Sequence, residues 1–159
     1  MSMNKEKRRM RPYIPDYGIE EGEKGLMEWE FVEKQMTESK FYWLSTTSKN
    51  GNPHAIPIWG VWLEQAFYFG GGPDTKNRKN LERNPNIVVH TESGSQVVIL
   101  EGVFSLETDD SVNDKIVEIY KEKYKLEHPK PFWRVDPVKV FAWTSDDYAK
   151  TPTKWVIED

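Results

Sequence analysis

The sequence predicts a mainly β, α+β fold: a closed or partly closed antiparallel barrel with two or three helices outside it. Short runs rich in β-branched and aromatic residues recur along the chain, each bounded by a turn signal. Asn50-Gly51 joins two of these runs, and both residues tolerate the positive φ that a tight hairpin needs. Helical periodicity is confined to a few separate segments, so the helices must pack outside a sheet rather than form a bundle.

Residues 1–23 form a tail and an irregular lead-in, and 24–159 read as a single domain. Lys5, Lys7, Arg8, Arg9 and Arg11 cluster in the tail with no apolar stretch behind them, which predicts a solvated, partly disordered segment. A helix is expected over Gly25–Ser39, with Leu26, Trp29, Val32 and Met36 on one face. Phe41–Thr47 is a strand and 48–52 a turn. Pro53–Trp62 returns as one long strand, and Pro57 places it at an edge or a bulge, because proline has no N–H for the ladder. Ala66–Gly70 is the next strand. The run Gly70-Gly71-Gly72-Pro73 then breaks the sheet, and Asp74 or Thr75 caps a helix that ends near Arg83 before Pro85. Strands follow at Asn86–Glu92 and Gln96–Leu106, a helix at Ser111–Tyr124, a strand at Pro137–Trp143, and a short one at Lys154–Ile157.

Composition excludes several chemistries. The chain has 159 residues and no cysteine, so disulfides, thiolate metal sites and cysteine nucleophiles are ruled out. Its three histidines, His54, His90 and His128, are scattered, which argues against a histidine-rich metal centre. A formal net charge of −4 does not suit a general nucleic-acid surface. No run of 18 apolar residues occurs, so neither a membrane span nor a membrane partner is expected, and a cytoplasmic location is the default expectation.

The stretch 70–80 is the strongest candidate for binding chemistry. Its glycines let backbone approach a ligand closely, and the following helix presents first-turn N–H groups that favour an anion. Lys76, Arg78 and Lys79 add three positive charges to a chain that is acidic overall. The edge strand at 53–62 supplies unpaired backbone groups and an apolar wall beside this corner. Trp59 and Trp62 lie at positions of opposite parity and point to opposite faces. No nucleophile motif, paired carboxylates or metal-ligand spacing is present.

These segments together resemble the pyridoxamine 5′-phosphate oxidase-related proteins, the flavin-binding split barrels. The resemblance rests on Tyr42-Trp43-Leu44-Ser45-Thr46, the turn 50–54, Pro57-Ile58-Trp59-Gly60-Val61-Trp62, Phe67-Tyr68-Phe69-Gly70, the helix start Thr75 to Leu81, Asn84-Pro85 and Glu101-Gly102. Thr153-Lys154-Trp155 resembles a threonine–arginine–tryptophan ending seen in one branch. The resemblance implies a six-stranded antiparallel split barrel with two to four flanking helices, and a homodimer with FMN at its interface.

By carry-over, Ile56, Pro57, Ile58 and Trp59 would run along the flavin ring. Tyr68 and Phe69 would lie near the ribityl chain, and Thr75, Lys76, Asn77 and Lys79 at the phosphate. Gln96 and Trp155 would reach the cofactor from the second subunit. Asn77 stands where the family usually has a phosphate-binding lysine, and the substrate-binding pattern of genuine pyridoxamine phosphate oxidases is not recognisable at the C-terminus. The implied activity is an FMN-dependent oxidoreductase with a small-molecule substrate and an electron donor. A deazaflavin-dependent reductase, a non-catalytic flavin-binding or stress protein, and a barrel that has lost its cofactor are the alternatives.

Overall fold

A computed structural model describes residues 5–158. Nine strands and three α-helices alternate in the order β1 (Glu6–Met10), α1 (Trp29–Glu38), β2 (Tyr42–Thr47), β3 (Pro53–Ile58), β4 (Val61–Leu63), β5 (Ala66–Phe69), α2 (Lys76–Arg83), β6 (Asn86–Thr91), β7 (Gln96–Leu106), α3 (Asp110–Tyr124), β8 (Trp133–Thr144) and β9 (Thr153–Glu158). All pairings are antiparallel, along β1-β9-β8-β7-β6-β2-β3, and the β4–β5 hairpin joins through β5 to β8.

The barrel is split at β8. One edge of this strand pairs with β7 from Trp133 to Thr144. Its other edge serves two partners: β5 takes Trp133–Val135 and β9 takes Lys139–Ala142. Asp136, Pro137 and Val138 pair with neither, and Pro137 brings no N–H to offer. The neighbouring strand bends to match, because the register slips between Glu101 and Gly102, so that Gly102 faces Pro137 while Glu101 faces Lys139. Glycine is required at this bulge: a Cβ on Gly102 would lie 2.6 Å from the Asp136 carbonyl oxygen.

Alternation along the strands places the core. Tyr42 and Leu44, Val89, Val98 and Leu100, and Val140 and Ala142 face the barrel interior, where Val32 and Met36 of α1 and Leu81 of α2 close it. A second cluster fills the space between the β4–β5 hairpin and α3, built on Val61, Tyr68, Ile116, Tyr120 and Phe132.

Most elements lie where the sequence places them, and four differ. The basic tail is ordered over 6–10 as β1, paired with β9 from Glu6↔Glu158 to Met10↔Lys154. Arg11 fixes the segment after it by donating to four backbone carbonyls, those of Gly22, Lys24, Lys150 and Pro152. Helix α1 begins at Trp29 rather than Gly25, which sits at φ +93°. The expected single strand 53–62 breaks at Trp59-Gly60 into β3 and β4. There Gly60 donates to the Tyr124 hydroxyl, and its carbonyl accepts from Lys123 Nζ at 2.9 Å, so the end of α3 holds the kink. Strand β8 starts four residues before Pro137 instead of at it.

Candidate functional site

The corner at α2 is built by local chemistry. Thr75, not Asp74, is the N-cap: its hydroxyl accepts from the Arg78 N–H at 3.3 Å and donates to the Gly72 carbonyl at 2.9 Å. The N–H groups of Lys76 and Asn77 sit in the first turn and have no intrahelical acceptor. Lys76 and Lys79 are exposed, while Asn77, Asn80 and Leu81 form the buried face. Asn80 donates to the Thr46 hydroxyl at 3.0 Å, which docks α2 on β2 opposite the pair Thr46↔His54. The helix is therefore docked on β2, the strand that carries β6 on one edge and β3 on the other.

Among the described residues strand β3 pairs with β2 alone, which leaves its outer edge open. Its side chains alternate: His54, Ile56 and Ile58 are half-buried, and Pro53, Ala55 and Pro57 are exposed. Ile56 and Ile58 pack against the barrel core. This strand provides an apolar wall and an open backbone edge, α2 provides an anion-favouring helix end, and both elements are held by β2.

Asn77 is only 7% exposed, and its Oδ1 has no hydrogen-bond partner. At the position where a lysine was expected, the chain thus places a buried amide, and the cations beside it belong to Lys76 and Lys79. Arg78 is committed elsewhere: it pairs with Glu82 at 3.0 Å and lies over the rings of Trp133 and Phe104. The glycine run also differs from expectation. The space a Cβ would need at Gly70 is taken by the His128 ring, at Gly71 it would meet Trp133 at a tight 3.2 Å, and at Gly72 only the Thr75 methyl at 3.7 Å. Gly70 is thus required by the protein's own aromatic packing.

The other expected site residues are distributed as follows. Trp59 stacks on Tyr124 with ring centroids 4.6 Å apart and planes 1° from parallel. Tyr68 (2% exposed) and Phe69 (1%) are interior: Phe69 meets Trp133 edge-on inside the barrel, and Tyr68 faces the other way, under α3. Trp155 is 2% exposed and meets Trp29 edge-on in the same subunit's core. Gln96 is exposed at the start of β7 and accepts from Gln35 at 3.0 Å. The structure leaves Ile56, Pro57 and Ile58 half-buried or exposed on β3 and Thr75, Lys76 and Lys79 exposed at α2, buries Asn77, and turns the side chains of Trp59, Tyr68, Phe69 and Trp155 to internal packing.

Sequence reasoning missed two polar clusters. Arg134 donates through Nη1 to the Tyr68 hydroxyl and to Glu107, both at 3.0 Å, and through Nε to both oxygens of Asp136. Burial pushes the Tyr68 phenol well above its usual range; the Glu107 carboxylate adds to the rise and Arg134 opposes it. Lys123 donates to the Tyr42 hydroxyl at 2.7 Å and lies against the rings of Tyr42 and Tyr124. Burial, with Lys40 nearby, pulls its ammonium down to about 8. The i, i+2 spacing of Arg134 and Asp136 on one strand face was the available signal for the first cluster. Nothing local announced the second. Among the described residues no group of histidines and carboxylates could hold a metal, and no helix is long and apolar enough to cross a membrane.

Comparison with known proteins bears on this arrangement. The family model for pyridoxamine 5′-phosphate oxidase matches residues 29–144. Among solved structures, a putative pyridoxamine 5′-phosphate oxidase from Listeria innocua superposes with a TM-score of 0.62 at 18% identity, over 73% of this chain and 98% of its own. An FAD-binding protein from Mesorhizobium loti gives 0.60 at 14%, over 82% of this chain and 96% of its own. The heme storage protein HutZ of Vibrio cholerae gives 0.55 at 17%, over 70% of this chain and 91% of its own. No curated protein matches the sequence. At these identities the solved structures share the fold alone, but the family match spans α1 through β8, well over half of the chain, and the chain belongs to the pyridoxamine 5′-phosphate oxidase family.

Proposed function

We propose that this protein binds FMN at the interface of a homodimer and acts as an FMN-dependent oxidoreductase on a small-molecule substrate. The observation that carries the reading is the Thr75-capped N-terminus of α2, with exposed Lys76 and Lys79, on a helix docked through Asn80 to β2, the strand whose neighbour β3 has an open edge. The residues fit the cofactor. First-turn N–H groups and two exposed ammonium groups suit a phosphate. Half-buried Ile56 and Ile58 suit a flat ring, and the open backbone edge suits the polar rim of that ring. The buried Asn77 Oδ1, which lacks a donor, suits a hydroxyl of the ribityl chain. The flavin supplies the hydride chemistry, and the protein supplies binding, orientation and exclusion of water. The FAD-binding neighbour shows that this fold accommodates a flavin.

A dimer is supported by the outer face of the sheet. Trp43, His90, Ile99 and Phe141 stand opposite one another across β2, β6, β7 and β8. Their strand neighbours point inward, so the row forms an apolar band on the outside, with Trp43 exposed.

Isothermal titration of FMN into wild type and the Lys76→Ala/Lys79→Ala double variant tests the phosphate corner. Loss of two charge-assisted contacts should cost about 3 kcal/mol, on the order of 100-fold in affinity. Equal affinities would remove the phosphate from α2. Reduction of the bound flavin by NADH or NADPH, followed by turnover on an added acceptor, separates an enzyme from a flavin carrier.

A further inference from the structure

The split in the barrel leaves a cavity of about 260 Å³ between β5, β9 and the start of α3. It shares no residue with β3 or α2, so it is separate from the flavin corner and does not depend on that reading. One side is apolar, made by the Trp29 ring, Val112, Pro137 and Ile157. The other side is charged. Glu64, Glu107, Asp109 and Asp136 face two cations, Lys5 and Arg134, so the lining carries four negative charges against two positive.

The guanidinium is spent on two of these carboxylates, which leaves Glu64 and Asp109 opposite Lys5. Arg134 is engaged by Tyr68, Glu107 and Asp136 at 2.9–3.1 Å, and Glu107, 8% exposed, also accepts from the Asp109 N–H. That network occupies both oxygens of Glu107 and of Asp136, Asp109 caps α3 through Oδ1, and the remaining acidic lining is Glu64 and the second oxygen of Asp109.

The hairpin turn at the cavity mouth is also unusual. Glu64 and Gln65 both lie at positive φ, 49° and 65°, where Asn-Gly would be relaxed. The chain keeps two long polar side chains there, and both line the cavity.

We propose that this opening is a binding site for a small aromatic amine, with the ring against Trp29 and Val112 and the ammonium at Glu64 and Asp109. The volume lies just under the ~300 Å³ at which ligand clefts commonly begin, which limits the ligand to one ring and a short arm. An acidic lining excludes carboxylates and phosphates, and an apolar wall on one side distinguishes this cavity from a site for a bare cation.

Benzylamine, benzyl alcohol and phenylacetate form a matched set of cationic, neutral and anionic probes. Isothermal titration at neutral pH should show benzylamine binding at least tenfold more tightly than the alcohol, with no heat from phenylacetate. Val112→Trp fills the cavity from α3 and should abolish the signal. Glu64→Gln, on an exposed turn where folding is not at risk, should weaken benzylamine about threefold and leave the alcohol unchanged. The Lys76→Ala/Lys79→Ala variant should bind benzylamine as wild type does, which separates failure here from failure of the flavin reading. No binding by wild type, equal affinity for amine and alcohol, displacement by excess FMN, or binding unaffected by both cavity variants would each overturn the proposal.

Discussion

Gly102→Ala tests whether the split is a steric construction. The added methyl would meet the Asp136 carbonyl oxygen at 2.6 Å and Val135 Cγ1 at 2.8 Å, where ordinary contacts begin near 3.4 Å. A flexible side chain could yield by that amount, but the carbonyl belongs to β8, which is tied to β7 at Asp136 itself and to β5 up to the residue before it. Overpacking in a core costs about 1–3 kcal/mol, and a backbone neighbour places this site at the upper end, about 3 kcal/mol. Two other glycines supply controls. Gly94 has nothing within 4 Å and no positive φ, so alanine there should be neutral or stabilising by about 0.5 kcal/mol through the unfolded chain. Gly51 has open space but φ +82°, so alanine there should cost about 1 kcal/mol from conformation alone. Urea unfolding of the three variants gives the ranking from midpoint and slope. If Gly102→Ala proves no worse than Gly51→Ala, the bulge accommodates a side chain and the steric account of the split is wrong.

Lys123 predicts a pH effect. Its folded value, about 8, lies below the 10.5 of an unperturbed lysine, so between these pH values the unfolded chain holds a proton that the folded one has released, and stability rises with pH. The full difference would carry about 3 kcal/mol, which solvent at this half-exposed group screens to about 1 kcal/mol. The stability of wild type minus that of Lys123→Met should therefore climb by about 1 kcal/mol from pH 8 to 10 in urea titrations, and a flat difference would show that burial does not disfavour the ammonium. Glu33 accepts the indole N–H of Trp29 at 2.8 Å and of Trp62 at 2.6 Å. Glu33→Gln leaves one acceptor oxygen for two donors and should cost about 2 kcal/mol by thermal unfolding, with a shift in tryptophan emission; an unchanged melting temperature would rule out a structural role for the carboxylate.

What could be read from the sequence followed how local its cause was. The α2 cap was legible because Thr75, the lysines and Pro85 act within one segment, and β7 was legible from alternation between two turns. The break at Gly60 was not, because the groups that hold it, Lys123 and Tyr124, lie some sixty residues later. Strand β1 was hidden for a similar reason: its composition suits solvent, and it is anchored through β9 and through Arg11 to carbonyls at 150 and 152. The early start of β8 was masked by Pro137, which reads as a boundary and is instead the point where the strand changes partners. In the candidate site, residue types at α2 were legible. Side-chain direction at Tyr68, Phe69 and Trp155 was not, since it depends on which face of each strand the barrel encloses.

Unpaired strand edges connect the two proposed sites. A free edge invites strand addition from another chain, and folded proteins guard against it. At β3 the guard is proline: positions 53, 55 and 57 share one parity, and two of the three bring no N–H. Such an edge offers carbonyls with few donors, which frustrates a continuous ladder and still allows isolated contacts to a planar ligand. At β8 the guard is again proline, at 137, together with the bulge opposite it, and the gap is closed from outside by the first turn of α3 rather than by another strand. β1, the remaining edge of the long sheet, carries Lys7, Arg8 and Arg9 instead. The chain thus protects one end of the long sheet with charge, and its other end and the gap at β8 with proline, and each proposed ligand lies at one of the proline openings. Restoring the ladder should therefore affect binding before it affects folding. Pro57→Val returns an N–H to β3 without disturbing its pairing with Trp43, so it should leave stability within about 0.5 kcal/mol while promoting association at that edge.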